Sequence, residues 1–259
     1  MPVISWKSFK ERVQRREPVL GPFMKVGEPA LIECLGFAGF DFAIIDSEHG
    51  PITMETAQQM VRAAWCGGIA PIVRVMDNQP GLIQKVLDMG AAGVQIPQVN
   101  DREGAERAVR AARFAPAGER GLCCYTRAAR YSARPKDEYV REANRETMVI
   151  IQVEGVRGID NIDAILEVPG IDILFLGPYD LSQSLGVPGE VESQVVIDKM
   201  NEVIEKSAER GVVVGTFVDS PEAANRWISR GVCYISLKSD MSLFMEGCRL
   251  FLSGVQKGR

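Results

Sequence analysis

Short apolar runs alternate with amphipathic stretches along the whole 259-residue chain. Eight runs read as strands: Val19–Met24, Phe42–Asp46, Pro71–Val75, Gly93–Pro97, Met148–Val153, Asp172–Leu176, Val212–Phe217 and Tyr234–Leu237. They are β-branched and apolar rather than alternating, the pattern of strands buried on both faces. Helical stretches fall between them at Pro29–Gly39, Thr53–Cys66, Gln79–Met89, Asp101–Phe114, Arg157–Val168, Ser193–Arg210, Ser220–Arg230 and Ser239–Leu252. Start signals stand at Thr53-Met54-Glu55, Asp101 and Ser220-Pro221-Glu222, and Gly90, Gly211 and Gly231 sit where helices should stop. The segment Trp6–Arg16 reads as one extra helix capping the bottom of the fold.

Sequential βα repetition of about eight units favours a single-domain (β/α)8 TIM barrel spanning residues 1–259. A doubly wound sheet is the alternative, and it would normally carry a glycine-rich fingerprint after the first strand. Gly21-Pro22-Phe23-Met24-Lys25 offers none. The stretch Ala115–Arg145 is polar and arginine-rich and too long for an ordinary connection. It reads as part of an active-site rim or as a subunit contact.

Composition narrows the partners. With 30 basic and 34 acidic side chains the net charge is −4 and the pI about 5.3, which leaves no footprint for nucleic acid or an anionic membrane. No apolar run approaches the roughly 20 residues of a membrane span. The start Met1-Pro2-Val3-Ile4-Ser5-Trp6-Lys7 lacks a signal-peptide pattern, so a cytoplasmic protein is expected. Cys34, Cys66, Cys123, Cys124, Cys233 and Cys248 are scattered, with no Cys-x-x-Cys pair, and read as packed free thiols.

A barrel of this type gathers its chemistry at the C-terminal ends of the strands. Asp46, Glu48 and His49 follow the second strand, and His49 is the only histidine in the chain. Histidine is the side chain whose ordinary pKa lies nearest neutrality, so His49 is the first candidate for moving a proton; a loop histidine held for structure alone is the bland alternative. Arg74 ends the third strand, where burial demands an anion: Asp46 or Glu48 structurally, or a substrate oxygen gaining charge functionally. Glu154 and Asp180 follow the fifth and sixth strands. Neighbouring strands lie about 4.8 Å apart, so the two carboxylates can converge on a hard divalent ion, although either can instead cap the helix that follows. The turn Gly177-Pro178-Tyr179-Asp180 can present the Tyr179 and Asp180 N–H groups to a carboxylate. No lysine near the sixth strand offers a Schiff base, and no glycine-rich turn follows the last two strands, which favours a keto acid over a sugar phosphate.

Taken in order, Asp46-Ser47-Glu48-His49-Gly50, Val73-Arg74, Gln152-Val153-Glu154 and Gly177-Pro178-Tyr179-Asp180-Leu181-Ser182 resemble the HpcH/HpaI aldolase family, and the similarity extends from about Gly21 to about Leu252. The resemblance implies a metal-dependent, class II aldolase that cleaves a 4-hydroxy-2-keto acid to pyruvate and an aldehyde. It implies that Glu154 and Asp180 hold Mg²⁺, Mn²⁺ or Co²⁺ against the carboxylate and keto oxygen of pyruvate. Arg74 would stabilise the enolate, and His49, oriented by Asp46, would transfer the proton. Gln152 would support the ion, while the Tyr179 and Asp180 amides hold the pyruvate carboxylate. A homo-oligomer, a hexamer with exchanged C-terminal helices, is also implied, in keeping with Met241, Leu243, Phe244, Met245, Leu250 and Phe251 exceeding what one barrel face needs.

Some residues depart from that family's pattern. Lys238 stands where a small residue is expected, and it either binds a distal substrate carboxylate or points outward to a surface acid. Phe217 occupies a position where smaller residues are common, so the aldehyde pocket differs. Arg120, Arg127, Arg130 and Arg134 bind an anionic tail or form a solvated or intersubunit face. Two other activities use related parts: a different metal-enolate lyase or oxaloacetate decarboxylase, and a non-catalytic barrel that binds a keto acid.

Overall fold

In the computed structural model, which describes residues 7–255, eight parallel strands close into one ring in chain order. They are β1 (Val19–Met24), β2 (Phe42–Asp46), β3 (Ala70–Arg74), β4 (Gly93–Ile96), β5 (Met148–Val153), β6 (Ile173–Leu176), β7 (Val213–Val218) and β8 (Tyr234–Ser239). The helices are α1 (Lys7–Gln14), α2 (Pro29–Ala38), α3 (Met54–Gly67), α4 (Pro80–Asp88), α5 (Arg102–Ala112), α6 (Lys136–Glu146), α7 (Val156–Asp160), α8 (Ile162–Leu166), α9 (Pro178–Ser184), α10 (Gln194–Glu209), α11 (Pro221–Ile228) and α12 (Asp240–Gly254). The expected (β/α)8 barrel is therefore the architecture. Of the extra N-terminal helix expected over Trp6–Arg16, Trp6 lies outside the described residues and Lys7–Gln14 is helical.

Two apolar layers hold the ring. Between strands and helices, outward-facing residues such as Ile45, Val73, Val94, Ile151 and Leu174 pack on the inner faces of the helices. Inside the ring, Phe42, Ile44, Ile72, Ile150, Phe175 and Tyr234 fill the lower and middle levels, and Phe9 and Val13 of α1 seal the bottom. Phe42 and Tyr234 stack face to face with centroids 4.2 Å apart. Tyr234 fits because its neighbour on β7 is Gly215, where a Cβ would stand 2.7 Å from the tyrosine ring. The uppermost inward positions break this apolar pattern: Asp46 pairs in register with Arg74, and Arg74 with Gln95. Burying such groups is costly unless they satisfy one another, so this level marks the functional end of the barrel.

Start and stop signals act as read. Thr53, Asp101 and Ser220 each accept a backbone N–H three residues on. Gly90, Gly211 and Gly231 take positive φ values of 89°, 73° and 92°. Two expectations change. The helix expected over Arg157–Val168 is two short helices, α7 and α8, meeting at Asn161, whose side chain donates to the Asn100 carbonyl. The stretch Ala115–Arg145 is not one long irregular rim. It contains a 3-10 turn at Arg130–Ser132 and most of α6.

That stretch also lies at the opposite end of this barrel from the polar level. It packs beside Gly90, Ala91, Ala92 and Thr147, which precede β4 and β5, and encloses a cavity of about 480 Å³ there. Most of its arginines are structural. Arg120 is buried, reaches Asp88 Oδ1 at 2.7 Å and lies over the Phe114 ring at 4.5 Å. Arg134 pairs with Glu142, and Arg127 lies over Trp65.

Candidate active site

The site grows from the ends of β2 and β3. Asp46 is fully buried, and its carboxylate accepts from Arg74 Nε at 2.9 Å and Nη2 at 2.7 Å. The same carboxylate accepts the backbone N–H groups of Glu48 and His49, at 3.1 and 3.2 Å, and so folds the loop that carries them. Glu48 Oε2 lies 3.0 Å from Arg74 Nη1. The guanidinium is thus gripped by two carboxylates and rests 4.5 Å above the Phe23 ring. Burial works against ionisation of Asp46, but the Arg74 pair outweighs it and holds the carboxyl below its ordinary range. For Glu48 burial wins over Arg74, with Asp46 and Asp180 adding repulsion, and its carboxyl is raised.

Asp46 reaches His49 through the backbone N–H and not, as expected, through the imidazole. Asp46 orients Arg74 and the loop backbone, and no hydrogen bond joins the two side chains. The nearest carboxylate to the ring is Glu48, whose Oε2 lies 3.9 Å from Nε2. The His49 side chain is 57% exposed and lines the mouth of the rim cavity.

On β5, a relay of amides fixes the next acid. Gln95 Nε2 donates to Gln152 Oε1 at 2.7 Å, and Gln152 Nε2 in turn donates to Glu154 Oε2. The backbone N–H of Gln98 donates to Glu154 Oε1 at 2.9 Å, from a residue in the left-handed region with φ 52°. A non-glycine residue there is strained, and the strain serves to aim this donor. Burial pushes the Glu154 carboxyl up to about 7, against these two hydrogen bonds and with added repulsion from Asp180 and Glu48. Glu154 needs close passage past β6: a Cβ on Gly177 would fall 2.9 Å from Glu154 Cβ and 3.0 Å from Oε2.

Asp180 stands in the first turn of α9, behind the N-cap Gly177. The N–H groups of Tyr179 and Asp180, like those of any first helical turn, have no intrahelical carbonyl to meet. The Tyr179 hydroxyl donates to Asp219 Oδ2 at 2.6 Å, an interaction that raises its pKa to about 12. Its ring meets Phe217 edge-on at 5.9 Å, so Tyr179, Phe217 and Phe23 form one aromatic wall.

The cavity bounded by these groups measures about 440 Å³, and His49, Arg74, Gln152, Tyr179 and Asp180 line it. Glu154 is buried beside Gln152, while Asp46 lies beneath Arg74. Lys238, in contrast, points away and pairs with Glu246 on α12. Sequence reasoning missed two participants. Gln95 reads as strand interior, and only register shows it facing the barrel axis beside Arg74. Lys25 directly follows β1, the same kind of position that singled out the other rim residues, and it lines the cavity. Among the described residues no three His, Cys, Asp or Glu side chains converge on one point.

The profile of the HpcH/HpaI aldolase/citrate lyase family matches residues 20–247. The chain belongs to this family. As a member of the HpcH/HpaI family it is a class II-type aldolase, a carbon–carbon lyase. It is 33% identical over 247 residues to a 2-dehydro-3,6-dideoxy-6-sulfogluconate aldolase of Pseudomonas putida, covering 95% of this chain and 96% of that one. Among solved structures it superposes on an HpcH/HpaI aldolase/citrate lyase family protein of Burkholderia cenocepacia J2315 with a TM-score of 0.92 and 33% identity, over 97% and 100% of the two chains. It also matches the citrate synthase SbnG, with a TM-score of 0.86 and 34% identity, over 94% and 95%.

Proposed function

We propose that this HpcH/HpaI aldolase cleaves a 4-hydroxy-2-keto acid into pyruvate and an aldehyde with the help of a divalent metal ion. The observation that carries the reading is the pairing, at one rim, of a guanidinium locked by Asp46 and Glu48 with a buried Glu154 carboxylate that faces further acids.

The donor set fits a hard divalent ion. Glu154 is desolvated, its hydrogen-bond partners are a neutral amide and a peptide N–H, and its charged neighbours Asp180 and Glu48 are acids. A cation relieves that repulsion, and carboxylate oxygens with waters suit Mg²⁺, Mn²⁺ or Co²⁺. Glu154 and Asp180 would hold it, with Gln152 fixing Glu154. The ion supplies a Lewis acid that polarises the keto group.

The remaining chemistry belongs to side chains. Arg74 meets the keto oxygen and stabilises the enolate as charge arrives there, without moving, because its two carboxylates and the Phe23 ring fix it. The first-turn N–H groups of Tyr179 and Asp180 are suited to the substrate carboxylate. His49, exposed at the mouth, takes the proton of the 4-hydroxyl as the C3–C4 bond breaks and its electrons pass to the keto oxygen. The imidazolium then returns a proton to C3, which becomes the pyruvate methyl.

Pyruvate release from a panel of 4-hydroxy-2-keto acids tests this reading. Turnover should vanish with chelator and return with Mg²⁺, Mn²⁺ or Co²⁺. Turnover that survives chelator would overturn the metal and direct attention to Lys25, the lysine that lines the cavity, rather than Lys238.

We also propose a cytoplasmic homo-oligomer, a hexamer. All six cysteines are free thiols, as a reducing compartment requires, and among the described residues no helix is long and apolar enough to cross a membrane. Phe244 and Phe251, one above the other on α12, are strongly exposed and flanked by exposed Leu250 and Leu252, apolar surface that a second copy would cover.

A further inference from the structure

The arginine-rich stretch between α5 and α6 encloses the cavity at the foot of β4 and β5, at the opposite end of the barrel from the rim where the aldolase chemistry lies. Its volume of about 480 Å³ is that of a small-molecule site. Four arginines line it, Arg120, Arg127, Arg130 and Arg134, against two acids, Glu142 and Glu146. Trp65, Tyr131 and Leu87 supply aromatic and aliphatic wall between them.

Two of the four arginines are already neutralised. Arg120, whose side chain is 1% exposed, reaches Asp88 at 2.7 Å, and Arg134 pairs with Glu142. Glu146 in turn meets Arg145 at 2.9 Å. Arg127 and Arg130 are left over. Among the described residues neither guanidinium has a carboxylate oxygen within 4.0 Å or a hydrogen-bond acceptor, and Arg127 Nε is closed off from solvent as well. The buried Nε–H groups of Arg120 and Arg134 also lack acceptors. Buried donors are ordinarily satisfied, so this wall is short of negative oxygen. The chain nevertheless fixes both unpaired arginines. The Gly90 carbonyl accepts Trp65 Nε1 at 3.0 Å, and Arg127 Cγ packs 3.5 Å from where a Cβ of Gly90 would stand. The Arg127 guanidinium then rests over the Trp65 ring, 5.4 Å from its centroid. Arg130 rides on a tight turn, its N–H donating to the Arg127 carbonyl at 2.8 Å and that of Tyr131 to the Thr126 carbonyl at 2.9 Å. Arg130, Tyr131 and Ser132 all lie in the left-handed region, with φ 51°, 53° and 73°. Three consecutive non-glycine residues there are strained, and the strain keeps Arg130 and Tyr131 in the same wall as Arg127.

We infer that this cavity binds a small organic anion, its carboxylate or phosphate group held by Arg127 and Arg130 and its short apolar body lying against Trp65 and Tyr131. The planar donor fork of a guanidinium matches both kinds of oxyanion, and the ionised acceptor strengthens each hydrogen bond. The ligand takes no part in carbon–carbon cleavage, because the rim groups Arg74, Gln152 and Asp180 line a different cavity. It rests instead on Gly90, Ala91, Ala92 and Thr147, the residues that lead into β4 and β5.

The test is titration calorimetry of the full chain with three probes: phenyl phosphate, benzoate and neutral benzyl alcohol. Wild type should bind at least one of the two anions with a Kd of about a millimolar or tighter, and the neutral probe far more weakly. Preference between the anions tells a phosphate ligand from a carboxylate one, and either preference supports the site. Arg127→Gln and Arg130→Gln should each weaken the anion roughly ten- to a hundredfold, the scale of one hydrogen bond between ionised groups. Arg130 is exposed, so its replacement leaves the packing intact, and a ligand-free melting curve matching that of wild type checks this. Arg127→Lys should keep part of the affinity by keeping the charge. Binding of neither anion to wild type overturns the inference. Anion binding that both glutamine variants leave unchanged overturns it too, since the anion then sits elsewhere, as at the rim. Benzyl alcohol binding as tightly as the anions does the same, because the cavity would then select for shape and not charge. None of these outcomes depends on the aldolase reading, which pyruvate release tests separately.

Discussion

Replacing Asp46 with asparagine tests the central grip on Arg74 with almost no change of shape. The amide keeps one oxygen but turns the other, now 2.7 Å from Arg74 Nη2, into an N–H that faces an N–H. It also removes a full charge from a site with no water contact. Breaking a buried ion pair by removing one partner costs about 3–5 kcal/mol. Glu48 remains 3.0 Å from Arg74 Nη1 and offsets part of that, so the lower end, about 3 kcal/mol, is expected. For a chain of this size that lowers the melting temperature by roughly 6–12 °C, measurable by thermal unfolding at pH 7. The pH dependence has a definite sign. The folded pKa of Asp46 is depressed, so its contribution is present above the unfolded value of about 3.9 and is lost as pH falls through the folded one. The gap between wild type and Asp46→Asn should therefore narrow in strong acid. Turnover should fall about a hundredfold or more, the scale of one lost oxyanion donor, because a loosened guanidinium no longer sits where charge develops. Combining Asp46→Asn with Arg74→Met should cost less stability than the sum of the two, since the orphaned cation is gone. A melting temperature within 2 °C of wild type, or strictly additive double-variant losses, would refute the grip described here.

Three further outcomes follow from the site and the surface. Gln95→Leu removes the start of the amide relay to Glu154, and titration calorimetry should find metal affinity roughly ten- to a hundredfold weaker; unchanged affinity would show the relay to be idle. In the metal-free protein Glu154 is raised to about 7, above its unfolded value of about 4.3, so this group should make the fold less stable as pH climbs from about 4 to 7. Metal should then bind with release of a proton below pH 7, and affinity that does not vary between pH 6 and 8 would contradict this. Paired Phe244→Glu and Phe251→Glu changes on α12 should shift sedimentation at micromolar concentration toward smaller species, whereas a wild type that sediments only as a monomer would refute the assembly.

The barrel was legible because its strands are buried on both faces, so each one reads as an unbroken apolar run. What stayed hidden lacks that signature. Helix α6 fully buries only Tyr139, with Val140 and Ala143 partly buried beside it, so the apolar stripe of Lys136–Glu146 is short and merges with the loop before it. The break at Asn161 depends on an amide reaching a carbonyl 61 residues away. The rim residues Asp46, Arg74, Gln152 and Asp180 were visible as polar groups at strand ends, but their pairing was not. Asp46 stands three residues before His49 in sequence, yet its carboxylate belongs to Arg74, its register partner across the β2–β3 ladder. Gln95 was overlooked because a glutamine inside an apolar run carries no sign of which face it takes. Lys25 has no such excuse: it follows a strand like the others, and the end of β1 simply offered no neighbouring motif to draw attention to it.

The register match between Asp46 and Arg74 has a consequence for how the barrel is assembled. In a parallel ladder buried on both faces, sliding β3 by one residue still sets apolar groups against apolar groups, so hydrophobicity alone discriminates weakly between neighbouring alignments. A one-residue slip here would leave the carboxylate and the guanidinium on opposite faces of the sheet, each buried without the other, a penalty that no repacking of isoleucines relieves. The pair thus acts as a checkpoint on strand alignment. Misaligned closures are penalised at the same residues that would carry out turnover, so molecules that pass the checkpoint emerge with the electrophilic end of the site already set. Aldolase activity recovered after refolding is, on this account, a direct count of correctly threaded barrels.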